Sequence, residues 1–121
     1  MNHVEMTKKY IEDNHDLIVK RLTGQYGGLR PSKPNGKRDN GLIKYIWRMA
    51  RFHAGHDTRL PVMCEYDLLD WIEEQTGDKL SLSERAEVTK AIDPTIDQII
   101  VDLGENPMRG AMRWGRAMGM L

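Results

Sequence analysis

A single cysteine, Cys64, stands in 121 residues, so no disulfide can form within the chain. That scarcity fits a reducing compartment. Long apolar runs are also missing. No stretch approaches the roughly 18 apolar residues that a membrane-spanning helix needs. The first six residues hold no apolar segment of a secretory signal. The expectation is a protein of the cytoplasm, or of a host's cytoplasm if its source is viral, with no membrane partner. No run alternates apolar and polar residues in the period-2 pattern of a half-buried strand. Motifs for chemistry are equally scarce. No Gly-Lys-Ser or Gly-Lys-Thr follows the glycines at 24–28, no serine has a histidine at local spacing, and neither C-x-x-C nor H-E-x-x-H occurs. These absences predict a non-catalytic protein with no cofactor.

Net charge is lacking as well: 18 Lys and Arg balance 18 Asp and Glu. The balance hides a strong segregation. Residues 28–59 carry eight cations against two carboxylates, a net +6, and residues 60–106 carry three against twelve, a net −9. The last fifteen residues return +3 through Arg109, Arg113 and Arg116. Blocks of this kind bear on partners more than on fold.

What is present is helical periodicity. Residues 4–23 read as one amphipathic helix, with Ile11, His15, Ile18 and Leu22 at i, i+4, i+7 and i+11. Residues 24–40 are a polar, basic loop punctuated by glycine and proline, of a length that marks functional or disordered segments. A second helix over 41–55 has Leu42, Ile43, Ile46, Trp47, Met49 and Ala50 on its apolar face. A third, over 63–76, turns Leu68, Leu69 and Ile72 inward and is stopped by Gly77. Ser81 and Glu84 form a capping-box pattern for a fourth helix that runs to about Ile92. Asp93-Pro94 reads as the N-cap and first position of a fifth, whose stripe is Ile96, Ile99, Ile100 and Leu103. The predicted fold is all-α: a single-domain bundle of about five short helices over 1–107, with a basic loop and a Met/Arg/Gly-rich arm at 108–121.

Two surfaces are candidates for binding. The loop offers Arg30, Lys33, Lys37 and Arg38, and the helix after it offers Lys44, Arg48 and Arg51 at i, i+4 and i+7. Several cations on one surface suit a phosphate backbone, and Tyr45 and Phe52 beside the stripe would stack on bases if exposed. The competing readings are a solvated helix face, or a basic stripe neutralised by the acidic helices of the same domain. The second surface is acidic and carries Asp67, Asp70, Glu73 and Glu74. With the arm residues Arg109, Met112, Arg113, Trp114 and Met118 it would serve a protein partner or self-association. Tryptophan and arginine are enriched at interface hot spots, and segregated charge permits head-to-tail assembly. The two functional expectations are therefore a nucleic-acid-binding accessory protein and a protein-interaction module, such as an assembly component or an inhibitor of a nucleic-acid enzyme. Viruses and mobile elements often encode accessory proteins of this size.

A metal site is the weakest candidate. His53, His56, Asp57 and Cys64 carry ligand chemistry without ligand spacing. His15, His56-Asp57 and Asp102 resemble a metal-dependent phosphohydrolase pattern only loosely. His15 reads as a hydrogen-bonded histidine on the apolar face of the first helix.

Overall fold

A computed structural model describes residues 2–34, 36, 39–56 and 65–110. Among them are five α-helices: α1 (His3–Asp13), α2 (His15–Leu22), α3 (Gly41–His53), α4 (Glu65–Thr76) and α5 (Leu82–Asp102). The all-α prediction holds. The only β pairing among the described residues is an isolated bridge between Thr23 and Leu29.

The helix expected over 4–23 is two helices. Asn14 breaks it at φ −117°, ψ 19°. Its side-chain amide donates to the Tyr10 carbonyl at 2.9 Å. A short polar side chain that bonds the backbone locally offers the chain an alternative to continuing the helix. Ile11, Ile18 and Leu22 are buried as expected. His15 is not in the core. It opens α2 with its side chain 41% exposed.

The two helices expected over 81–103 are one. Pro94 lies inside α5 and does not restart it. An interior proline costs about 3 kcal/mol. The buried residues Val88, Ile92, Ile96, Ile99 and Ile100 run through the join at spacings of three and four. That continuous apolar stripe outweighs the local cost, and Pro94 itself faces solvent. Asp93 is accordingly a helix-interior residue, not a cap. Ser81 forms the capping box as read: its hydroxyl accepts from the Glu84 N–H at 3.2 Å and Glu84 reaches back to the Ser81 N–H at 3.3 Å.

α3 is the central helix and packs against α2, α4 and α5, while α1 lies on α5. Leu42, Ile43, Tyr45, Ile46, Trp47 and Ala50 of α3 join Leu68, Leu69, Trp71 and Ile72 of α4 and the α5 stripe in one core. Asn40 caps α3 by accepting from the Ile43 N–H at 3.0 Å, and its amide donates to the Tyr10 hydroxyl at 2.9 Å. Tyr10 packs edge-on against Trp71, with ring centroids 4.9 Å apart. Asn40 and Tyr10 thus tie α1, α3 and α4 together.

α3 and α5 end alike. Each closes on a left-handed glycine, Gly55 (φ +79°) and Gly104 (φ +81°), a conformation that other residues adopt at a cost. In each, the glycine N–H and the next N–H bond back to the final turn. His56 reaches the Arg51 carbonyl at 2.8 Å and Glu105 reaches the Ile100 carbonyl at 3.1 Å. These are Schellman caps, and they put His56 and Glu105 at equivalent positions just beyond the two helices.

Candidate nucleic-acid interface

The loop that carries the first cations is anchored at a few points and otherwise exposed in its described part. Leu29 and Pro34 are buried. The Arg30 N–H bonds the Leu22 carbonyl at 2.8 Å. The Asp39 side chain is fully buried and accepts two bonds from Arg21, at 2.7 and 2.6 Å, and one from the Gly36 N–H at 2.8 Å. Arg21 holds the Asp39 carboxyl below the ordinary carboxylate range, with the Gly36 bond adding to it. Lys37 and Arg38 lie outside the described residues.

Loop and helix meet at Trp47. Its indole N–H donates to the Arg30 carbonyl at 2.9 Å. The Arg51 guanidinium lies over its ring, 5.4 Å from the centroid, a distance at which the ring quadrupole attracts the cation. The Arg30 guanidinium turns back to the Arg21 carbonyl and the Ser32 hydroxyl. Lys33 is exposed and 3.8 Å from Asp67, a surface pair that contributes little. Lys44, Arg48 and Arg51 are all half-buried on one face of α3. Long basic side chains commonly reach this half-buried state by laying their aliphatic stems along apolar surface. The Arg48 Nε is shielded from solvent and meets no acceptor.

Tyr45 was expected near this stripe as a stacking residue. It is 2% exposed and belongs to the core, so it cannot reach a base. Residue 45 sits between the stripe at 44 and 48 and the apolar positions 42, 43 and 46, and α3 turns it inward. Phe52 is half-buried.

On the acidic side, Asp70 and Glu74 are exposed, and Asp67 and Glu73 are half-buried. Tyr66, 48% exposed, precedes Asp70 by four residues and Glu73 by seven, on the same face of α4. Of the arm, Met108, Arg109 and Gly110 are described; Met108 is exposed, and Arg109 and Gly110 seat on the end of α3. Gly110 lies against the Phe52 carbonyl, and the Arg109 side chain against Gly55. Met112, Arg113, Trp114 and Met118 lie outside the described residues, as do Asp57 and Cys64.

The histidines behave otherwise than expected. His15 Nε2 is 2.9 Å from Asp102, His53 Nδ1 is 2.7 Å from Asp97, and His56 Nε2 is 2.6 Å from Glu105. His3 lies 3.2 Å from Glu84 and 3.6 Å from Asp78. His15 and Asp102 do come together, but bonded directly to each other. His53 and His56 turn to different carboxylates. Among the described residues no three His, Cys, Asp or Glu side chains gather as a metal site. A signal for these pairs was in the sequence: all four histidines precede residue 57, and most of the carboxylates follow residue 64.

No protein-family model matches this chain, and no curated protein or solved structure matches it either. Among the described residues no helix is long and apolar enough to cross a membrane.

Proposed function

We propose that the protein is a small non-catalytic binder of nucleic acid or another polyanion, working through the face where the 28–34 segment meets α3. One observation carries this reading. The intramolecular alternative requires the acidic helices to neutralise the α3 stripe, and neither Lys44 nor Arg48 forms an ion pair among the described residues. The α5 carboxylates Asp97 and Asp102, and Glu105 beyond them, go to histidines. Charge left uncompensated on a surface attracts the opposite charge. The partial burial of Lys44, Arg48 and Arg51 fixes their stems, so less side-chain entropy is lost when they meet phosphates.

The test replaces Lys44 and Arg48 together by glutamate and measures binding of labelled duplex DNA, single-stranded DNA and RNA by fluorescence anisotropy. The reading expects lost binding with an unchanged circular dichroism spectrum. Binding that survives the double reversal would overturn it.

A second reading rests on α4. Tyr66, Asp70, Glu73 and Glu74 form an aromatic and acidic stripe that suits a basic protein surface, including the basic block of a second copy. Replacing Asp70 and Glu73 by lysine should then dissolve an oligomer seen by sedimentation.

A further inference from the structure

The last turns of α5 and the residue beyond its cap are held by imidazoles from three places. His15 opens α2, His53 closes α3, and His56 follows the α3 cap. Their partners, Asp102, Asp97 and Glu105, fall within nine residues. The His56–Glu105 pair joins the two Schellman caps directly. The other Glu105 oxygen accepts from the Leu29 N–H at 3.2 Å, so the carboxylate also pins the 28–34 segment. The arm begins at this junction, with Gly110 on the Phe52 carbonyl and Arg109 on Gly55.

We infer that His15, His53 and His56 form a pH-responsive clasp that fixes the end of α5 and the root of the arm when charged and loosens them when neutral. A protonated imidazole makes a charge-assisted bond to a carboxylate, about twice as strong as a neutral one. A neutral imidazole keeps one N–H and so weakens the clasp without abolishing it. Each imidazole faces at least one carboxylate. His15 faces Asp102 from α5 and Asp16 from its own helix, and Gln98 steadies Asp102 at 3.0 Å. His53 faces Asp97 and, more distantly, Asp93, both on α5. His56 faces Glu105, with the cationic Arg109 on the neighbouring Gly55.

Asp102 holds the His15 imidazole above its ordinary value of 6.5, and His15 holds Asp102 below 3.8. The sign follows. The raised imidazole contributes fully below 6.5 and fades as pH rises through the raised value; the lowered carboxyl contributes above 3.8 and fails only in stronger acid. The clasp is tightest between those limits and opens toward alkaline pH. Histidine is the side chain whose charge changes in this range.

The test is hydrogen–deuterium exchange of the intact chain at about pH 6 and about pH 8, corrected for the intrinsic pH dependence of exchange. Protection over 97–110 should fall at the higher pH, by about tenfold for each unit by which one imidazole is raised. The triple variant H15N/H53N/H56N should lose that dependence. H3N, at the far end of α5, should keep it. Undiminished protection at the higher pH, or a triple variant with the native dependence, would overturn the clasp. If the triple variant does not fold, NMR titration of the native imidazoles decides. A His15 midpoint above 6.5 supports the clasp, and one at or below 6.5 sinks it.

Discussion

Replacing Gly41 by alanine tests the packing of α3 on α4, on which the candidate interface depends. Gly41 is the first residue of α3, and a helix former there is expected to help on propensity alone, by up to about 1 kcal/mol. The structure predicts the opposite. A Cβ on Gly41 would run into the Asp67 carbonyl oxygen, and would lie 3.1 Å from the Asp67 carbonyl carbon and 3.2 Å from the Trp71 Cβ. These are α4 backbone and the base of a buried tryptophan. Neither swings aside as the tip of a flexible side chain would. α3 must back away, opening the contact among Leu42, Ile46, Leu68, Leu69 and Ile72. Overpacking of this kind costs about 1–3 kcal/mol. Less the full propensity gain, the expected net loss is about 0–2 kcal/mol, centred near 1 kcal/mol, where Tm falls by about 4 °C. Thermal unfolding followed by circular dichroism reads it. A variant that melts at or above the native temperature would refute the close approach of the two helices.

Four further outcomes follow from the same packing. Pro94→Ala should stabilise the chain by about 1–3 kcal/mol, because it restores a helix N–H at an exposed position inside α5; a loss of stability in urea denaturation would speak for two separate helices. Ser81→Ala removes the capping box and should cost about 1 kcal/mol by the same assay. Ile46→Ala, in the fully buried centre of α3, should cost about 2–5 kcal/mol; an effect below about 1 kcal/mol would show that α3 is not central. For His15→Asn, the stability difference from the native chain should be largest below pH 6.5 and shrink as pH rises through the raised imidazole value. A difference that grows with pH in unfolding experiments would reverse the sign of the His15–Asp102 coupling.

The helices were legible where apolar spacing and caps agreed. Ser81 and Glu84 marked the start of α5, and Leu42 to Ala50 marked the buried face of α3. Local signals misled where tertiary burial overrode them. Asp93-Pro94 is a sound helix start by chemistry, yet the isoleucine stripe runs through it. Asn14 was the one local mark of the break between α1 and α2, and the apolar spacing of Ile11, Ile18 and Leu22 running across it masked that mark. The i, i+4, i+7 spacing of Lys44, Arg48 and Arg51 located the stripe. It could not say that Tyr45 points the other way, because burial depends on where α4 and α5 sit. The histidine pairs were the least legible. Each spans 44 to 87 residues of sequence, and only the fold brings the partners together.

The central claim is that the α3 stripe and its loop bind phosphates. The most direct measurement is the affinity for duplex DNA as a function of salt, for the native chain and for K44E/R48E. The account predicts a linear fall of log K with log salt. Its slope should be about −4 to −5 if the described cations Arg30, Lys33, Lys44, Arg48 and Arg51 each meet a phosphate, and shallower by about 2 in the double variant. No binding at low salt, or a slope unchanged by the double reversal, would contradict it and turn attention to the acidic face of α4.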